Sequence, residues 1–221
     1  MFKILRPVLV TILLLGPVTL LPVAAKADDS VAQNHAQAVA TPVGKFIQGL
    51  GDQAITVIAD KGLNQDQRSE KFREMLRVSF DLPTIGRFVI GRSWNAATPA
   101  QQQEYMKLFE ALVIKTYSDR FALYTGEGFK VTGVRSESEK DSIVTSEITH
   151  PDGSEPTSVD WRVRKKEGKM GIIDVVVEGV SLSVTQRQEY ASIIQQDGGK
   201  LDGLLALMRK QVESPSSGNP G

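Results

Sequence analysis

Two hydrophobic periods divide this 221-residue chain. From about residue 43 to 125, apolar side chains recur at steps of three and four, the period of helices with one buried face. From 129 to 178 they alternate with polar ones, the period of half-buried strands. The helical spacing then returns to about 212. Thr41-Pro42 starts a first helix carrying Phe46, Ile47, Leu50, Ile55 and Ile58, and Gly62 ends it. Asn64, with Gln67 three residues on and Leu63 as a staple, caps a second bearing Phe72, Met75, Leu76 and Phe80. Asp81-Leu82-Pro83 starts a short third, with Ile85, Phe88 and Val89, ending near Gly91. Thr98-Pro99 opens the fourth and longest, over 99–125, with Tyr105, Leu108, Phe109, Leu112, Val113, Thr116, Tyr117, Phe121 and Tyr124 in register.

Strands are predicted over 129–136, 142–149, 157–166 and 169–178. Pro151-Asp152-Gly153 and Lys166-Glu167-Gly168-Lys169 supply hairpin turns. Val159, Trp161 and Val163 face one way and Asp160, Arg162 and Arg164 the other, so one face is covered and one is wet. Helices over 185–195 and 200–212 follow, separated by Asp197-Gly198-Gly199. Helices, an antiparallel meander, then helices predict an α+β fold: one strongly bent sheet of about four strands with helices on its apolar face.

The ends carry different patterns. Lys3 and Arg6 precede an uncharged run from Val8 to Leu21, and Ala25-Lys26-Ala27 is a small-x-small cleavage site. That order is a secretory signal peptide cut after Ala27. The run is about 14 residues, short of the roughly 20 that span a bilayer. No Cys follows it to take a lipid anchor, and the chain holds none anywhere. Residues 28–42 read as a flexible leader, 43–213 as the folded domain and 214–221 as a disordered tail.

The whole chain has 26 basic and 26 acidic residues. Removing 1–27 takes three basic groups and no acid, which leaves 23 against 26. Such a balance argues against nucleic acid as a partner. Without Cys, thiol nucleophiles, thiolate metal sites and disulfides are excluded, which leans towards a bacterial periplasm. His35 and His150 stand apart from any triad or metal-ligand spacing, and no phosphate-loop or dinucleotide motif occurs. Asp160 and Asp174 interrupt apolar strands, where each is either a wet-face residue paired with a neighbour such as Arg162 or Arg164, or a buried base.

Several segments carry a resemblance. Phe80-Asp81-Leu82-Pro83-Thr84-Ile85-Gly86-Arg87-Phe88-Val89-Ile90-Gly91-Arg92-Ser93-Trp94, Thr98-Pro99-Ala100-Gln101 with Phe109 and Thr116-Tyr117, Val159-Asp160-Trp161-Arg162-Val163 and Asp174-Val175-Val176-Val177-Glu178-Gly179-Val180-Ser181-Leu182 occur in an order and spacing that resembles the MlaC, or Ttg2D-like toluene-tolerance, family. Arg187 to Tyr190 sits where that family has a Y-R-x-x-F stretch. The resemblance covers about 43–205. Met170-Gly171-Ile172-Ile173-Asp174 departs from it, standing where the family carries an aromatic-rich W-K-I-Y-D. Smaller groups there would reshape a pocket wall.

The resemblance implies a periplasmic phospholipid carrier with no enzymatic activity and no cofactor. Its fold would be NTF2-like around a deep apolar cavity. Its partners would be an outer-membrane lipoprotein complex and an inner-membrane ABC transporter complex with an MCE-domain protein. Acyl tails would lie inside and the head group near the mouth. On that reading the sheet and the third and fourth helices supply the lipid-binding wall: Phe80, Ile85, Phe88, Val89, Tyr105, Leu108, Phe109, Leu112, Val144, Trp161, Val163, Ile173, Val175 and Val177. Arg87 and Arg92 meet a phosphate, a partner or only solvent. A hopanoid or sterol-like lipid is an alternative cargo. Two other readings stay open: an NTF2-like enzyme on an apolar substrate, with Asp160 or Asp174 as general base, and an adaptor that binds only proteins. A cavity well above the roughly 300–1,000 Å³ of small-molecule sites would decide for lipid.

Overall fold

The computed structural model describes residues 35–121 and 126–214, with side chains described to Tyr117 in the first stretch. The expected export signal, the leader up to residue 34, Tyr124 and the tail beyond Ser214 lie outside the described residues. Among the described residues, after a helical stretch over 35–40, the elements follow one another as α1 (Pro42–Ala59), α2 (Gln65–Ser79), α3 (Leu82–Ile90), α4 (Arg92–Ala96), α5 (Pro99–Phe121), β1 (Gly128–Ser136), β2 (Asp141–Thr149), β3 (Thr157–Lys166), β4 (Lys169–Val177), β5 (Val180–Ser181), α6 (Leu182–Gln196) and α7 (Asp202–Glu213). The class is α+β, as the two periods predict. The short α4 and β5 were not visible in the pattern.

Local chemistry sets the helix starts. The Thr41 hydroxyl accepts from Gly44 N–H at 3.0 Å, with Pro42 in the first turn of α1. Asn64 and Gln67 form a reciprocal capping box on α2. The Asp81 carboxylate accepts from Thr84 N–H at 3.0 Å at the start of α3, and Thr98 and Gln101 exchange bonds at the start of α5. Residues 35–40, which the sequence places in a flexible leader, are helical. His35 Nδ1 lies 2.6 Å from the Val131 carbonyl and Ala38 is buried, so this stretch is pinned to β1.

The strands form one open antiparallel sheet in the order β1-β2-β3-β4-β5. Two irregularities bend it. One lies in β1 between Val131 and Gly133, where Gln48 of α1 accepts from the Val131 N–H at 2.9 Å. The other faces Arg162 and Val163: Arg162 pairs with Asp174 and Val163 with Ile172, which leaves Ile173 as the extra residue of a bulge. On the wet face, Arg162 meets Glu137 and Arg164 meets Asp141 as a two-bond fork.

The helices cover the other face, and the core they make is divided. One cluster joins α3, α5, α6 and α7 through residues such as Val89, Tyr105, Phe109, Leu204 and Met208. A second joins α1 and the sheet through Ile47, Val131, Val144, Val163 and Ile172. A third joins α2 and α5 through Phe72, Leu76 and Ile114.

Candidate functional site: an apolar cavity between sheet and helices

Domains of this size usually close around one contiguous, close-packed core. Here Phe80, at the C-terminal cap of α2, packs against all three clusters. The space beside it opens into a cavity of about 750 Å³. Its walls are mainly apolar. α1 presents Ile47, Leu50, Gly51, Ala54, Ile55 and Ile58 along one stripe, and α2 presents Phe72, Met75 and Leu76. Leu82, Ile85 and Val89 come from α3, and Phe109, Leu112, Val113, Thr116 and Tyr117 from α5. The sheet adds Phe129, Ile148, Val159, Trp161, Val175 and Val177; α6 adds Leu182, Ser183, Gln186 and Tyr190. The two carboxylates on the wall are Asp174 and Glu127.

The indole of Trp161 and the carboxylate of Asp174 are tied down by hydrogen bonds. Trp161 donates its indole N–H to the Ser146 hydroxyl at 2.9 Å, and Ser146 donates to the Val159 carbonyl at 3.2 Å. The indole therefore offers the cavity only apolar surface, edge-on to Phe129 at 6.1 Å. Asp174 is 8% exposed, and its carboxylate accepts from the Ser181 hydroxyl, the Ser183 hydroxyl and N–H, and the Val175 N–H. Three of those donors converge on Oδ1, and Ser181 alone reaches Oδ2. Burial pushes the Tyr190 phenol up to about 12, so it remains a neutral donor.

Eight of the fourteen side chains picked from the sequence lie on this wall: Phe80, Ile85, Val89, Phe109, Leu112, Trp161, Val175 and Val177. Six do not. Phe88 is 41% exposed and turns outward beneath the Arg187 guanidinium. Tyr105 is fully buried in the α3–α5–α6–α7 cluster, where its hydroxyl donates to the Gly86 carbonyl at 3.0 Å, and Leu108 packs on that cluster. Val144 and Val163 sit on the covered face but pack directly with Ala38 and Ile47. Ile173 fails because the bulge moves the inward position to Ile172. The α1 and α2 residues were missed as wall altogether; the small Gly51 and Ala54 within an apolar stripe were the available signal.

The two strand carboxylates differ in placement. Asp160 lies on the wet face, accepting from the Thr145 hydroxyl at 2.6 Å with Arg135 at 3.9 Å. Asp174 reaches the wall, with its carboxylate tied to the Ser181 and Ser183 groups at the start of α6. Among the described residues no cluster of His, Asp and Glu fits a metal ion, and no helix is long and apolar enough to cross a membrane. The volume falls inside the range of small-molecule sites, so size alone does not separate a lipid from a smaller apolar ligand, contrary to the expectation from sequence.

A sheet and helices closed on an apolar void define an α+β domain of the class that can enclose an apolar molecule. Over residues 48–210 the sequence matches the family described as MlaC protein, and the chain belongs to that family. The toluene tolerance protein ttg2D of Pseudomonas putida is 24% identical to it over 106 residues, 48% of this chain and 49% of that protein. The chain thus spans about half the length of that curated relative. A phospholipid-binding protein from Ralstonia solanacearum, solved in complex with a phospholipid, shares the fold with a TM-score of 0.68 at 25% identity, over 76% of this chain and 95% of that one.

Proposed function

We propose that this chain is a periplasmic lipid carrier that encloses phospholipid acyl tails in the cavity. The observation that carries the reading is the apolar cavity walled by Phe80, Trp161, Val175, Val177 and the helices, with the Trp161 indole N–H and the Ser183 hydroxyl already bonded to protein. Family membership and the phospholipid held by the Ralstonia relative support it.

The physical need for enclosure is large. Each methylene gains about 0.8 kcal/mol on leaving water, so two tails of about 16 carbons represent roughly 25 kcal/mol. A free lipid does not cross an aqueous gap at a useful rate against that cost. A carrier need not exceed a bilayer in apolarity, and near-balance lets the lipid leave again. Direction would then come from partners: on the family's pattern, an outer-membrane lipoprotein complex and an inner-membrane ABC transporter complex with an MCE-domain protein. No step of carriage requires a catalytic group.

Transfer between vesicles tests this reading. The delipidated protein is incubated with donor vesicles carrying a fluorescent phospholipid, re-isolated and added to acceptor vesicles. The reading expects saturable uptake near one lipid per chain and release to the acceptors. Absence of uptake contradicts it.

A further inference from the structure

We propose that the outer corner formed by α3, α4 and the first half of α6 is a docking surface for an anionic lipid bilayer. Arg87, Arg92 and Arg187 are exposed there, together with Phe88 and Val184, each 41% exposed. The Arg187 guanidinium lies 4.9 Å from the Phe88 ring centroid and that of Arg87 lies 5.0 Å from the Trp94 centroid. α3 and α4 contain no acidic residue, and the one acid of α6, Glu189, is bonded by Gln186 at 3.0 Å.

Among the other described arginines, Arg68 donates to the Asp60 carbonyl and the remaining six make a contrast. Arg73, Arg77, Arg135, Arg162, Arg164 and Arg209 each pair with a carboxylate. No such pair forms at Arg87, Arg92 or Arg187 among the described residues. Three unpaired arginines in one corner without an unbonded acid on its helices raise the local positive field of a chain with no net positive charge. Stacking on a ring holds a guanidinium by its face and leaves edge N–H groups for phosphate oxygens. Arg187 spends Nη1 on the Phe88 carbonyl at 2.8 Å, which fixes it at the C-terminal end of α3.

The occupant follows from the mixture. Two exposed apolar side chains are too few for the desolvated centre of a protein interface of about 800 Å² per partner. Cations with interleaved aromatics at a membrane surface need no shape match, and each adds independently. The surface rests on its own residues and not on what fills the cavity. α3 and α6 do supply cavity wall on their inner sides through Ile85, Val89 and Gln186, so docking there would bring the cavity close to a bilayer.

Co-sedimentation of the mature protein with vesicles tests the proposal. The probes are vesicles of phosphatidylcholine alone and of phosphatidylcholine with phosphatidylglycerol, at low and high salt, using lipid-free and lipid-loaded protein. Binding is expected only to the phosphatidylglycerol vesicles and is expected to fall with salt. Arg92→Glu should weaken it at least about tenfold, Phe88→Ser should weaken it too, and Lys166→Glu, at the exposed β3–β4 turn, should leave it unchanged. Thermal melts of each variant exclude loss of the fold. No binding at any composition overturns the proposal and leaves the arginines to an acidic protein face. Equal binding to neutral vesicles, or equal weakening by Lys166→Glu, overturns it as well. Loss of vesicle binding with intact lipid transfer would separate this surface from the carrier reading.

Discussion

The Asp174 carboxylate holds Ser183 twice, accepting its hydroxyl at 2.7 Å and its N–H at 3.2 Å. With Ser181 bonded at 2.7 Å, one buried side chain joins the bulge of β4 to the first turn of α6. A negative group at a helix N-terminus is also favoured by the helix dipole. Asp174→Asn keeps the shape but replaces an acceptor oxygen with a donor facing donors. The expected cost is about 1–3 kcal/mol, read by urea unfolding as a lower midpoint at unchanged slope. Unchanged stability would remove the link between bulge and helix.

Gly51 and Phe129 give a prediction whose sign opposes simple propensity. Ala is favoured over Gly by about 1 kcal/mol inside a helix. A Cβ on Gly51, however, would sit 2.2 Å from the Phe129 ring, which is held edge-on to Trp161. Ring and helix must separate, at a cost of about 1–3 kcal/mol. Gly51→Ala should therefore lower the melting temperature and shift Trp161 fluorescence. A stabilised variant would show that α1 does not press on the wall as described.

Alkaline pH should act through two buried phenols. Burial raises Tyr105 and Tyr190 above the ordinary value of about 10. Unfolded chains lose those protons first, so the native state binds more protons above pH 10. Stability is then fully present below about pH 10 and falls as pH rises towards 12, by up to about 1.4 kcal/mol per pH unit for each tyrosine. Tyr105→Phe should flatten that fall while costing about 1 kcal/mol near neutrality, because the Gly86 carbonyl loses its donor. Urea unfolding from neutral to alkaline pH, followed with tyrosinate absorbance, measures both. An equal alkaline slope in the variant would contradict the assignment.

What the sequence made legible follows from where its periods run unbroken. β3 alternates without interruption, so Val159 and Trp161 were placed on the correct face. β4 carries a bulge, and two-residue spacing counted back from Val177 lands on Ile173 instead of Ile172. In α5 the same stripe serves two purposes: Tyr105 and Leu108 pack into the helical cluster, while Phe109 and Leu112 reach the cavity. Periodicity reports which side is dry, not whether the dry side meets a neighbour or a void. For the same reason α1 read as ordinary core. Cap chemistry at Asn64 and Thr98 is local and was readable; the role of Asp174 depends on a register shift and a helix start seven residues on, and was not.

The most direct measurement is native mass spectrometry of the protein exported to the periplasm of a Gram-negative host, beside a Val175→Trp variant that fills the cavity. The account predicts a bound phospholipid in the parent protein, identified by its fragments, and its loss in the folded variant. A parent protein free of lipid, or a variant that retains it, would contradict the claim that this cavity holds the tails.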